Sequence, residues 1–224
     1  MRIRLIRCAV VIVGLAIWFF TQSLIGAKTL PPGDAAAASS LLSQGDGIFA
    51  ATDGAHGFLL QNPSAADALL IISSLGIDVL GVFLILRTIF GVSIRPFLGL
   101  IVLFSLRQIC QGLSPLPPPD GMIWHDPGFP SLLVTYGVAN DFFFSGHTAI
   151  ATLGAVEVAR LGKRWWIAGL FLAVFEVTAV LILRAHYTLD VYTGLVTALF
   201  VAGFATRLAP GVDRWIERIG TRPD

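Results

Sequence analysis

W-W-I-A-G-L-F-L-A-V-F-E-V-T-A-V-L-I-L-R-A-H-Y-T-L-D-V-Y-T-G-L-V-T-A-L-F-V-A-G-F-A-T, residues 165–206, decides the fold class. Its only charged residues are Glu176, Arg184 and Asp190. A helix needs roughly 20 mostly apolar residues to cross the hydrocarbon core of a bilayer. Here two such stretches, about 165–184 and 188–206, are joined by a turn of a few polar residues. Outward from this pair, four further stretches have the same character: about 6–26, 67–86, 96–113 and 143–160. The reading is an all-α polytopic membrane protein, a bundle of six transmembrane helices forming one membrane domain over residues 1–224.

Composition agrees. The chain is 55% hydrophobic and 13% charged, with a mean hydropathy of +0.80. Soluble domains carry roughly 25% charged residues, and so few charges do not cover a water-facing surface. A net charge of +1 leaves no basic excess for nucleic acid. Cys8 and Cys110 both sit inside apolar runs, which suits small buried side chains and suggests neither a disulfide framework nor a thiolate metal site. No internal repeat is evident. The first stretch follows Arg2, Arg4 and Arg7 as a signal peptide would, but it is longer than the 7–15 residues typical of a signal core, so it reads as a retained anchor.

The basic residues orient the helices. With the N-terminus cytoplasmic, Arg2, Arg4, Arg7, Arg87, Arg95, Arg160, Lys163, Arg164, Arg207, Arg214, Arg218 and Arg222 all fall inside, twelve of the 15 Lys and Arg. Such alternation is what the positive-inside rule requires. Both termini are then cytoplasmic. The outer face receives residues 27–66, a Pro-rich loop over 114–142 and the turn at 184–187. Pro115, Pro117, Pro118 and Pro119 read as a rigid helix stop. The 27–66 segment has little periodicity and reads either as a mobile cover or as a short interfacial element such as Ile48 to Leu60.

Two segments are anomalous for membrane helices: N-D-F-F-F-S-G-H-T at 140–148 and R-A-H-Y-T-L-D at 184–190. Each puts ionisable groups at the outer end of a span, where they are costly unless they face a protein interior and serve a function. His186 and Asp190 are four apart, so on a helix they share a face. A carboxylate accepting from one imidazole nitrogen leaves the other free as a nucleophile. His147 follows Gly146 at a helix start, where free N–H groups favour an anion and a second histidine can protonate a leaving alkoxide. Taken singly, H-x-x-x-D is usually a local hydrogen bond, and S-G-H says less still. Together at one end of the bundle, with Arg107 and Arg184 at similar depth, they point to phosphate chemistry. The same arginines argue against zinc on the two histidines and the aspartate, because they would repel a cation and grip a phosphate.

S-G-H-T at 145–148 and H-Y-T-L-D-V at 186–191 resemble the signature of the sphingomyelin synthase branch of the type 2 phosphatidic acid phosphatase (PAP2) superfamily. The similarity extends to the plant phosphatidylcholine:diacylglycerol cholinephosphotransferases. It takes in His56 and Pro63, L-R-Q-I-C-Q-G-L-S-P-L-P-P-P at 106–119, Gly137 and Asn140, and R-A-H-Y-T-L-D-V-Y-T-G at 184–194. The resemblance implies a six-span PAP2-like bundle and a two-step transfer through a phosphohistidine, with no cofactor and no metal. It makes His186 the nucleophile, Asp190 its partner and His147 the acid and base. Arg107, Arg184 and Ser145 would contact phosphate, Gly146 and Tyr187 would help bind substrate, and Asp141 would sit near a cationic headgroup. The chain departs from the phosphatases of that superfamily: Phe144 stands where they carry Pro, and Ala179 and Val180 where they carry Ser-Arg. No lysine-led first motif is present either.

The resulting expectation is a phospholipid headgroup transferase. The donor is a lipid such as phosphatidylcholine, and the acceptor is diacylglycerol or ceramide. Both arrive from the bilayer while water is excluded, with Phe142 to Phe144 as candidates for excluding it or for plain interfacial anchoring. A lipid phosphatase or phospholipase C-like hydrolase is the enzymatic rival, and a non-catalytic lipid-binding protein the other. Asp78, Glu157 and Glu176 read as interior hydrogen-bonding groups.

Overall fold

A computed structural model describes residues 1–26, 32–114, 116–134, 136 and 142–221. Among these residues the regular structure is helical: α1 (Arg2–Gly26), α2 (Pro32–Gln44), α3 (Gly47–Gln61), α4 (Pro63–Phe90), α5 (Arg95–Leu113), α6 (Gly146–Ala159), α7 (Lys163–Ile182) and α8 (Thr188–Thr221). Five of them, α1, α4, α5, α7 and α8, are long and apolar enough to cross a membrane. Large apolar side chains stand exposed along them, among them Phe20, Val79, Phe171 and Phe200. Contiguous apolar surface of this kind marks a membrane or partner interface.

The sixth expected span, 143–160, comes out differently. Helix α6 has 14 residues, about 21 Å at 1.5 Å per residue, against a hydrocarbon core of about 30 Å. Phe142 to Phe144 are not helical, and Ser145 caps the helix by accepting from Thr148 N at 3.3 Å. The apolar count therefore ran across irregular backbone. Every residue from Gly146 to Gly154 is buried, enclosed by α4, α5, α7 and α8. A helix apolar all round belongs inside a bundle, and irregular backbone at membrane depth is tolerated only where protein surrounds it.

Other boundaries moved for local reasons. Helix α4 begins at Pro63, because proline's fixed φ and missing N–H suit the first helical turn. Helix α8 continues past 206 to Thr221 with Pro210 on an exposed position, and Val201, Ala202, Ala205, Ala209 and Ile216 keep a buried stripe that packs towards α1 and α5. Within 27–66, α3 corresponds to the element expected at Ile48 to Leu60, and α2 precedes it. Helices α6 and α7 meet closely: a Cβ on Gly169 would lie 3.0 Å from the Ala155 Cα, the small-residue contact common between membrane helices.

The two ends of the bundle differ. At one end Arg7 donates to the Gly91 and Val92 carbonyls and pairs with Asp213 at 3.3 Å. Asp213 also accepts from Ile94 N at 2.9 Å. Arg95 grips Glu157 with two bonds of 2.9 and 2.7 Å. In the interior Glu176 accepts from Ser73 at 2.6 Å, and Asp78 accepts from Leu132 N at 2.8 Å and Leu133 N at 2.9 Å. Glu157 at the end of the bundle, buried Glu176 and half-buried Asp78 are thus all hydrogen-bonded. At the other end α2, α3 and the loop after α5 close over the α7–α8 turn. Ser39 donates to the Pro118 carbonyl at 2.7 Å, and Ile123 N donates to the Leu183 carbonyl at 2.8 Å.

Candidate active site

The α7–α8 turn is short and tightly bonded. Ala185 N donates to the Val180 carbonyl at 2.9 Å, and Arg184 takes a left-handed conformation with φ of 51°. His186 therefore lies ahead of α8, which starts at Thr188, and not on it. This corrects the helical geometry expected from the spacing of four. His186 Nδ1 bonds the Phe142 carbonyl at 2.8 Å, while Asp190 Oδ2 is 3.8 Å away, an ion-pair separation and not a hydrogen bond. That Asp190 oxygen accepts from Tyr187 N at 3.0 Å instead. A carbonyl can only accept, so Nδ1 carries the hydrogen and Nε2 of the neutral ring keeps its lone pair.

His147 stands in the first turn of α6, buried, with its ring edge-on to Trp124 at 5.2 Å between centroids. Its Nε2 has no hydrogen-bond partner among the described residues. Arg107 reaches from α5 to the start of the same helix, donating from Nε to the Phe144 carbonyl at 2.7 Å. Gly146 makes room for it: a Cβ there would sit 3.3 Å from Arg107 Nε. A buried guanidinium beside the N-terminal end of a helix favours an anion twice over. Gly194 matters in the same way, since a Cβ on it would lie 2.7 Å from the Ser145 carbonyl. Ser145 N also donates to the Asp190 carbonyl at 3.1 Å, which locks the S-G-H turn to the start of α8.

His147, His186, Arg107 and Gly146 line one narrow cavity of about 50 Å³, together with Trp124 and Phe142. Asp190 lies buried behind it. Tyr187 is buried and stacks on Phe49 at 6.0 Å, outside the cavity lining. Arg184 is not brought to the cavity either. It pairs with Asp53 at 2.7 Å and lies over the Phe49 ring at 5.2 Å, on the α3 side of the turn. Asp141 lies outside the described residues, as do Gly137 and Asn140.

A family model, AtPDCT1/2, that of the phosphatidylcholine:diacylglycerol cholinephosphotransferases, matches residues 45–207. That is well over half of the chain. The chain belongs to this family. Comparison with curated proteins found no match, and comparison with solved structures found none. The matched residues of this cholinephosphotransferase family member include both histidines, Asp190, Arg107 and all of α3, whereas α1 and α2 lie ahead of them.

Several residues around the site carried no signal of their own in the sequence, apart from His56, which the family resemblance takes in. Asp46 accepts from Ile48 N and Phe49 N at the head of α3, and also from Thr188 at the head of α8. His56 bonds the Ile182 carbonyl at 2.8 Å. Trp124 on the loop and Trp18 and Gln22 on α1 line the cavity. Long-range contacts of this kind have no sequence spacing to betray them.

Proposed function

We propose that the chain is a membrane cholinephosphotransferase that moves phosphocholine from phosphatidylcholine to diacylglycerol through a phosphohistidine on His186. The observation that carries this reading is the convergence of His186, His147 and Arg107 on one cavity, with the His186 tautomer set by the Phe142 carbonyl. Family membership supports the substrate class.

In the first step His186 Nε2 attacks phosphorus and the bond from phosphorus to the glycerol oxygen breaks. His147, in its protonated form, gives its proton to the departing alkoxide, and diacylglycerol leaves. Arg107 and the α6 N-terminus neutralise the phosphoryl oxygens as charge builds on them. Asp190 stabilises the positive imidazole ring. In the second step His147 takes the hydroxyl proton of an incoming diacylglycerol, whose oxygen attacks phosphorus, and His186 is released. The enclosed position of α6 keeps water from the intermediate. We place the site at the outer face of the membrane with both termini cytoplasmic, on the strength of the basic-residue pattern. In this reading Arg184 anchors the turn through Asp53, and Asp141 lies near the choline ammonium.

The test is a competition in vesicles with headgroup-labelled phosphatidylcholine, in which diacylglycerol, ceramide and water are the possible acceptors. Label moving to diacylglycerol is expected, unaffected by EDTA. Label moving to ceramide in preference would place the chain with the sphingomyelin synthases, and release into water without transfer would make it a hydrolase.

A further inference from the structure

Helix α1 lies ahead of the family-matched residues, yet it forms one wall of the cavity that holds His147 and His186. Its contribution there is polar and unsatisfied. Gln22 is 6% exposed, and neither its amide nitrogen nor its amide oxygen has a partner among the described residues. The Trp18 indole nitrogen is likewise buried without one. A buried polar group left unpaired is costly, so three such atoms on adjacent turns of one helix ask for a ligand that bonds them.

An apolar groove adjoins the same wall. It runs between α1, α4 and α5 with a volume of about 160 Å³, and Trp18, Phe104 and Leu133 line both it and the cavity. Its floor includes Gly14, where a Cβ would lie 2.9 Å from the Phe97 ring. Gly14, Trp18 and Gln22 are spaced four apart, so they share one helix face and span about 12 Å along the axis at 1.5 Å per residue. The apolar groove that Gly14 lines, hydrogen-bonding groups at Trp18 and Gln22, and a guanidinium at Arg107 follow one another in the order of the parts of a glycerolipid. The wall is also fixed in place. Gln108 donates to the Trp18 carbonyl at 3.2 Å and accepts from Thr21 at 2.9 Å, and the Trp18 ring packs on Phe104 at 4.3 Å.

We propose that α1 supplies the subsite for the glycerol-ester part of the lipid, with one acyl chain lying in the α1–α4–α5 groove. The Trp18 N–H and the Gln22 amide N–H donate to ester carbonyl oxygens, and the Gln22 amide oxygen accepts from the free hydroxyl of diacylglycerol. Donor and acceptor share this glycerol-ester chemistry. The assignment rests on the transferase reading for which lipid is bound, and not for where it is bound.

Two measurements test it. Trp18→Phe and Gln22→Met keep bulk and remove hydrogen bonds. Each should raise KM for dioleoyl phosphatidylcholine by about 3- to 10-fold, as expected for one lost bond, with a smaller rise for a water-soluble aryl phosphocholine that has no glycerol esters. Equal KM changes for the two donors, or none for either, would overturn the subsite. Independently of turnover and of any variant, the wild-type chain is photolabelled in vesicles with phosphatidylcholine carrying a diazirine near the end of one acyl chain. Adducts on Gly14 to Trp18 or Phe97 to Phe104 are expected, and adducts confined to other helices would overturn the proposal. Labelling at α1 by a chain that transfers no headgroup would sink the transferase reading and leave the lipid subsite standing.

Discussion

The carboxylate of Asp46 accepts both hydrogen bonds that Thr188 can donate, from the backbone N at 2.7 Å and from the hydroxyl at 2.6 Å, across 142 residues of chain. The same carboxylate caps its own helix through Ile48 N at 3.1 Å and Phe49 N at 3.3 Å. One acidic side chain therefore closes the N-termini of α3 and α8, and the second carries Asp190 and begins two residues after His186. Removing an N-cap carboxylate typically costs about 0.5–2 kcal/mol. Asp46→Ala should lower the unfolding temperature in detergent and reduce kcat for headgroup transfer. Thr188→Val removes only the hydroxyl bond and leaves the α3 cap and the backbone N–H bond in place, so it should cost less, and the double variant should be little worse than Asp46→Ala alone. Additive losses would show that the two residues act apart.

The two histidines should separate by role. His186→Ala removes the nucleophile and should abolish both half-reactions on any donor. His147→Ala removes only the proton carrier, and general acid–base assistance is typically worth about 10²–10⁴-fold. On a nitrophenyl phosphocholine donor, whose leaving group needs no proton, His147→Ala should keep much of its first half-reaction. Loss of that half-reaction in both variants alike would remove support for the assignment.

The sequence brought two histidines to attention that the structure places on one cavity, and hid their geometry. S-G-H-T and H-Y-T-L-D-V named His147, His186 and Asp190, because short motifs survive without knowledge of the fold. The spacing of four then suggested that Asp190 bonds His186, which holds only if both lie on one helix. The tight turn at Arg184 puts His186 before α8, and the Phe142 carbonyl, 44 residues away, takes Nδ1 instead. Arg184 matched the motif, but Asp53 on α3 holds it away from the cavity. Hydropathy found the five long helices and overran α6, since Phe142 to Phe144 are apolar without being helical.

Acid should loosen the cover over the site. Burial lowers the pKa of His56 below its ordinary value of 6.5, and the nearby Arg184 adds to this; the Ile182 carbonyl and Asp53 oppose it in part. The folded state thus prefers neutral His56, with Nδ1–H donating to the Ile182 carbonyl. Below about pH 6.5 the unfolded segment takes up a proton that the folded one resists, so stability is present above that pH and is lost as pH falls through the window below it. Proteolysis of the α2–α3 segment should accelerate on acidification over that range. His56→Asn should flatten the dependence, and an unchanged pH profile in that variant would exclude His56 as its source.

Orientation is open to direct labelling. A cysteine placed at an exposed position of α3, such as Gly54, should react with an impermeant thiol reagent on intact cells, and one beside Lys163 should not. The opposite pattern would invert the topology and carry the site to the other face.

Arg107 and Arg184 offer the sharpest test of the site itself, because the family resemblance assigned both to phosphate and the structure treats them differently. Arg107 is buried at the start of α6 and lines the cavity with the two histidines. Arg184 is spent on Asp53 and Phe49 at the α3 side. Arg107→Gln should therefore lower kcat by about 10²-fold or more, the scale of losing one preorganised group that stabilises developing charge. Arg107→Lys should recover only part of this, since a point charge cannot reproduce a planar fork. Arg184→Gln should act mainly on stability, with kcat within several-fold of wild type, and Asp53→Asn should match it. If Arg184→Gln instead abolished transfer while Asp53→Asn had no effect, Arg184 would have to leave its ion pair and reach the phosphate during turnover.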